Sequence, residues 1–75
     1  MESFIIDVSL KNQHATILVI PDDRIDFSVF HLVLDGKEIN RIKYVDPGNW
    51  TIVDGEAMDE SEFQSVCEQI ENHFF

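Results

Sequence analysis

The chain has 75 residues, which is enough for one domain with one core, and 44% of them are apolar, as in globular proteins. Fifteen acidic residues against five basic ones give a formal charge of −10, which disfavours binding to nucleic acid and to anionic membranes. A single cysteine, Cys67, excludes an intramolecular disulfide, and no apolar run is long enough for a signal sequence or a membrane span. We therefore expect one domain, residues 1–75, in the reducing cytoplasm.

The first 53 residues predict a β-meander, because turn-forming residues recur at short intervals between runs of alternating apolar and polar residues. The turns are Lys11-Asn12-Gln13, Pro21-Asp22-Asp23, Asp35-Gly36 and Asp46-Pro47-Gly48-Asn49. Successive side chains of a strand point to opposite faces, so the loop lengths decide which residues share a face. The predicted core face consists of Phe4, Ile6, Val8, Leu10, Ala15, Ile17, Val19, Ile25, Phe27, Val29, Ile42, Tyr44, Trp50 and Ile52.

Each predicted turn implies a register between its two strands. We expect an even-length loop after Leu10, a three-residue loop at residues 21–23, a type I′ turn at Asp35-Gly36 and a five-residue loop at residues 45–49. The resulting cross-strand pairs are Leu10 with Ala15, Val19 with Ile25, Val29 with Ile42, and Tyr44 with Trp50.

After Gly55 the apolar period changes from two to about 3.6, which indicates a helix. Asp59 is a suitable N-cap, with Glu62 three residues later as in a capping box. The apolar stripe consists of Phe63, Val66, Cys67, Ile70 and Phe74. The predicted fold is α+β: an antiparallel β-meander of four to five strands with one C-terminal α-helix packed on one face.

The predicted register leaves apolar residues on the sheet face away from the helix. They are Phe30, Leu32, Leu34, Ile39, Leu18 and Ile20. A β-bulge near His31 would return Phe30 and Leu32 to the core, and extra twist at the hairpin tip would bury both faces. Otherwise this face is an interface for a partner protein or for a second copy in a homodimer.

Acidic residues are concentrated in the last 22 residues, which contain seven acids and neither Lys nor Arg. Four of them form the predicted acidic surface of the helix: Glu60, Glu62, Glu68 and Glu71. The simplest interpretation is a solvated helix face. The alternative is a docking surface for a basic partner, as in an acidic inhibitor or a DNA mimic.

No pattern in the sequence predicts a catalytic, cofactor or metal site. His14, His31 and His73 lack a second ligand at metal-binding spacing, and Cys67 lies on the apolar stripe among acids, which raise a thiol pKa. His31 has core parity, so we expect a hydrogen-bonded structural histidine. A domain of this size rarely encloses a ligand cleft of roughly 300 Å³ or more. We therefore expect a non-enzymatic protein-interaction module that self-associates through the outward sheet face.

Overall fold

The computed structural model describes residues 2–22, 24 and 28–74. Within them the chain forms β1 (Phe4–Leu10), β2 (Gln13–Pro21), β3 (Val29–Leu34), β4 (Lys37–Asp46), β5 (Asn49–Gly55) and α1 (Glu60–Phe74). The strands form one antiparallel sheet in the order β1-β2-β3-β4-β5, so each strand pairs with its neighbours in sequence. The predicted α+β meander with a C-terminal helix is confirmed.

The turn between β1 and β2 is shorter than predicted. Lys11 and Asn12 both have positive φ, 52° and 64°, which closes a two-residue hairpin turn and pairs Leu10 with Gln13. The predicted pairing of Leu10 with Ala15 is therefore wrong by two residues. A register shift of two residues leaves every side chain on the same face of the sheet. Ile6 and Ile17 therefore oppose each other on the predicted core side.

The connection between β2 and β3 is longer than the three residues predicted. Pro21 pairs with Phe30 and Val19 pairs with Leu32, and the N–H of Asp22 donates to the Val29 carbonyl at 2.9 Å. The predicted core residues Ile25 and Phe27 lie outside the described residues. Val19 pairs with Leu32, so the prediction that it pairs with Ile25 is wrong.

A β-bulge in β4 corrects the predicted register of the central hairpin. The Asp35-Gly36 turn forms as expected, with φ of 52° and 79°. Val33 then pairs with Glu38 and Leu32 with Asn40, so Ile39 is an extra residue in β4. The extra residue changes the parity of β3 relative to β4.

The bulge decides which residues of β3 face the helix. The prediction paired Val29 with Ile42. In the structure Phe30 opposes Ile42, and Val29 opposes Lys43. Phe30 and Leu32 consequently lie on the core face, as the alternative of a bulge near His31 required. Val29 lies on the other face and is nevertheless buried.

The pairing of β4 with β5 agrees with prediction, since Tyr44 opposes Trp50 and Ile42 opposes Ile52. Within the predicted five-residue loop, Asp46 pairs with Asn49 around a two-residue turn at Pro47-Gly48, and Val45 is an extra residue in β4. The side chains of both cross-strand pairs therefore keep their predicted faces.

The core lies between the sheet and α1. Its buried residues are Ile6, Val8, Ile17, Val19, Phe30, Leu32, Ile42, Trp50, Val66, Cys67 and Ile70. The predicted helical stripe is confirmed, because Val66, Cys67 and Ile70 are buried and Phe63 and Phe74 pack against them from the edges. Within the described residues, α1 is neither long nor apolar enough to cross a lipid bilayer.

Hydrogen bonds fasten α1 to both edges of the sheet. The backbone N–H of Lys11 donates to Glu62 at 2.6 Å, and the Gln69 side-chain amide donates to the Asp7 carbonyl at 2.7 Å. On the opposite edge, Glu71 accepts from the Trp50 indole N–H at 3.1 Å. The position of the helix is therefore set by polar contacts at its rim as well as by the core.

Candidate functional site

The six residues predicted as an interface are divided by the structure between the core, its margin and the surface. Phe30 is 1% exposed and Leu32 fully buried, so the prediction that they lie on the outward face is wrong. The cause is the bulge at Ile39 together with the pairing of Val19 with Leu32. Neither residue can contact a partner of the folded chain.

Leu34 and Ile39 are partly buried against the core and line a groove of about 940 Å³ at one end of the sheet. The groove lies beside the β1–β2 and β3–β4 turns and the connection from β5 to α1, with Leu10 and Met58 among its apolar residues. Its presence contradicts the expectation that this domain lacks a cleft. Charged residues of both signs line it, including Lys37 and Glu56, so its polar lining does not favour one class of ligand.

Three apolar residues on the outer face form a row across three strands. Ile5 pairs with Leu18, and Leu18 pairs with Val33, so the three side chains lie side by side on the face away from α1. Ile5 is 64% exposed and Leu18 is 37% exposed, whereas Val33 is partly buried. We call these three residues the outer row. Ile20, which was also predicted to face outward, is partly exposed two residues farther along β2.

A hydrogen-bonded cluster of two carboxylates and a histidine adjoins the outer row. His31 lies opposite Ile20 and Arg41, on the outer face of the sheet and not on the predicted core side. Its Nε2 is 2.9 Å from a carboxylate oxygen of Asp22, and its Nδ1 is hydrogen-bonded to Glu38. The Asp22 side chain is only 1% exposed and also accepts from the Arg24 backbone N–H at 3.1 Å.

These contacts set the ionisation of the cluster. The hydrogen bond to Asp22 raises the pKa of His31, and Glu38 raises it further against the opposing effect of burial. The same hydrogen bond lowers the pKa of Asp22 from 3.8 to about 2. An imidazolium that donates one N–H to each carboxylate has neither nitrogen available to accept a proton from a substrate. The geometry therefore supports the expected structural role of His31.

The outer face also carries cationic side chains on β4. Arg41 lies opposite His31, and its guanidinium Nη2 is 3.8 Å from a carboxylate oxygen of Asp54. Lys43 lies two residues farther along β4, opposite Val29 and Thr51. Charges of both signs are thus interspersed on this face, next to the outer row.

The four predicted surface acids of α1 differ in their surroundings. Glu60 and Glu68 are exposed, and Glu68 accepts from the Gln64 side chain at 3.0 Å. Glu62 and Glu71 are partly buried and accept hydrogen bonds from the sheet side of the same chain. Two of the four carboxylates are therefore occupied in positioning the helix, which the sequence pattern did not reveal.

The sequence analysis also considered Cys67, His14 and His73 as candidate nucleophilic or metal-ligating residues. Burial, together with the charge of Glu71, raises the pKa of the Cys67 thiol to about 12, as its acidic sequence neighbourhood predicted. His14 is 3.2 Å from the Asp7 carboxylate. The ring of His73 stacks on Phe4 with 3.8 Å between centroids. Among the residues that the structure describes, no three His, Cys, Asp or Glu side chains form a metal-binding group.

No family model, curated protein or solved structure matches this chain. The function is therefore inferred from the surfaces described above.

Proposed function

We propose that this protein is a small interaction module that associates with a second copy of itself through the outer face of the sheet. The observation that carries the proposal is the outer row, in which Ile5 is 64% exposed beside Leu18 at 37%. Contiguous exposed apolar residues on a folded chain are typical of an interaction surface. Their burial against a partner releases apolar area from water, which is the main favourable contribution to association.

The charge distribution favours a second copy on this face. The helix side presents the exposed acids Glu60 and Glu68, and two copies of a chain with net charge −10 would repel each other there. On the outer face Arg41 lies 3.8 Å from the Asp54 carboxylate, and Lys43 adds a second positive charge. An acidic copy therefore approaches most easily from the outer side.

The geometry of the outer row suits a two-fold interface. Leu18 lies between Ile5 and Val33 in the row. A two-fold axis parallel to the strands at Leu18 would place Ile5 of one protomer against Val33 of the other. The most exposed residue of the row would then meet the least exposed one, and the two Leu18 side chains would meet at the axis.

Sedimentation equilibrium over a rising concentration series tests this proposal. We expect a monomer–dimer equilibrium for the wild type and a dimerisation constant at least about tenfold weaker for both Ile5→Glu and Leu18→Glu. Leu18→Glu brings two like charges together at the axis, and Ile5→Glu places a carboxylate against the apolar side chain of Val33. Val45→Glu is the matched control, since Val45 is an exposed apolar residue away from the row. A wild type that stays monomeric at the highest soluble concentration, or equal weakening by Val45→Glu, would overturn the proposal.

A further inference from the structure

A second concave surface lies on the opposite side of the molecule from the outer row. It is a groove of about 300 Å³ between α1 and the β4–β5 turn. Apolar atoms of Trp50, Phe63 and Cys67 line it. Three carboxylates border it, from Glu60, Glu68 and Glu71, and none of the described residues that line it is basic. We call this surface the acidic groove.

We infer that the acidic groove binds an arginine or lysine side chain of a basic partner protein. Charge complementarity carries this choice, because three acids of α1 border an aromatic-lined groove in a chain with net charge −10. The apolar stem of such a side chain can lie along the Trp50 and Phe63 rings while its charged head remains beside the carboxylates. Aromatic rings also attract the cationic head directly.

The acidic groove is held open by the contacts of Glu71. Its carboxylate accepts from the Gly48 backbone N–H and from the Trp50 indole N–H, each at 3.1 Å. These two bonds join the β4–β5 turn to the last turns of α1 and orient the indole. The groove is therefore preformed, so binding does not require the chain to order a loop first.

Glu60 and Glu68 supply the charge that a ligand would meet. Both are exposed and two turns apart on α1, along the same border of the groove. Glu71 is committed to Gly48 and Trp50, so it contributes mainly long-range attraction. A volume of about 300 Å³ is at the lower end for small-molecule sites. It therefore suits one inserted side chain better than a whole cofactor.

This inference is independent of the proposed self-association, since the outer row and the acidic groove lie on opposite faces of the sheet. It also gives a defined binding position to the hypothesis that the acidic surface of α1 docks a basic partner. An acidic helix surface without a groove would attract any cation equally along its length.

Titration with a capped octapeptide of alternating arginine and serine tests the inference, with the citrulline-for-arginine peptide as the neutral comparison. Trp50 is the only tryptophan, so its fluorescence and its indole N–H resonance report on the acidic groove directly. We expect saturable shifts of the Trp50 signals with the arginine peptide and none with the citrulline peptide. The affinity should fall steeply with salt.

Substitutions inside and outside the acidic groove test where the arginine peptide binds. Glu68→Gln should weaken the arginine peptide about two- to fivefold, and Glu60→Gln with Glu68→Gln should weaken it further. Glu56→Gln, which removes an exposed acid outside the groove, is the control. Phe63→Leu, with folding verified by its circular dichroism, should also weaken binding.

The results that would overturn the inference are equal weakening by Glu56→Gln, equal binding of both peptides, or chemical-shift changes spread over all acidic residues without saturation at Trp50. Repeating the titration with Ile5→Glu separates this site from the outer row. Unchanged peptide affinity in that variant is expected whether or not the chain dimerises.

Discussion

Glu62, in the first turn of α1, accepts a hydrogen bond from the backbone N–H of Lys11 at 2.6 Å, across 51 residues of sequence. Lys11 lies in the β1–β2 turn with φ of 52°, a conformation that non-glycine residues seldom adopt. The bond thus joins the start of the helix to a strained turn at the end of the sheet. It satisfies a turn N–H that the hairpin leaves free.

Loss of this contact should destabilise the fold measurably. We expect Glu62→Ala to lower the free energy of unfolding by about 1 kcal/mol, because it removes one charge-assisted hydrogen bond. Glu60→Ala is the matched control, since Glu60 is an exposed acid in the same helical turn. Urea denaturation measures both, and equal midpoints would show that the bond to Lys11 contributes nothing.

Leu32 and Leu18 provide a direct test of the corrected register. Leu32 is fully buried and Leu18 is 37% exposed, although both were predicted on the same outward face. Leu32→Ala should cost about 2–5 kcal/mol through lost burial and a cavity, whereas Leu18→Ala should cost less than about 1 kcal/mol. The comparison is made by urea denaturation of the monomer. Similar losses for the two variants would contradict the position of Leu32 in the core.

The contribution of the Asp22–His31–Glu38 cluster to the free energy of unfolding should be largest within a defined pH range. Asp22 has its folded pKa lowered from 3.8 to about 2, so it stabilises the fold above 3.8 and this contribution is lost as the pH falls through about 2. His31 has its folded pKa raised from 6.5, so it stabilises the fold below 6.5 and this contribution is lost as the pH rises through the raised value. Both contributions are present together between pH 3.8 and 6.5.

The His31→Gln variant measures this dependence. The difference in unfolding free energy between wild type and His31→Gln should be largest between pH 3.8 and 6.5 and should shrink as the pH rises through the raised pKa of His31. His14→Gln is the control, because His14 is an exposed histidine that also contacts a carboxylate, Asp7. A difference that does not vary with pH would show that folding leaves the pKa of His31 unchanged.

Gly55, at the end of β5, should tolerate substitution worse than the turn glycines. Its φ is +103°, and a Cβ there would collide with the Ile39 carbonyl oxygen and lie 2.8 Å from the Asn40 Cα. Gly48 also has positive φ, at +75°, but faces open space. We expect Gly55→Ala to cost about 3 kcal/mol or more and Gly48→Ala about 1 kcal/mol, from its backbone conformation alone. Thermal melting compares them, and equal melting temperatures would contradict the close contact of β4 and β5 at the bulge.

Local sequence patterns determined the elements of this protein. Alternation with period two identified strands, and the spacing of Val66, Cys67 and Ile70 identified the helix and its buried face. Asp35-Gly36 identified the central turn because both positions require positive φ. These features depend on residues within one turn or one strand, so the sequence alone contains them.

The register of β3 was decided only in the tertiary structure. The alternation that begins at Ile25 predicted Val29 in the core and Leu32 outside. One extra residue, Ile39, reverses that relation. The bulge has no local sequence signature, because it is a property of the pairing between β3 and β4 and not of either strand alone.

The candidate surfaces could likewise be predicted only in part from the sequence. Leu18 and the exposed acids Glu60 and Glu68 were identified by parity and by helical spacing. The His31 cluster and the bond from Trp50 to Glu71 join residues on different elements, so no pattern along the chain reveals them. Composition and local spacing thus determined what this chain builds, whereas the register between neighbouring strands decided which side chains reach solvent, because a one-residue change there reverses every face.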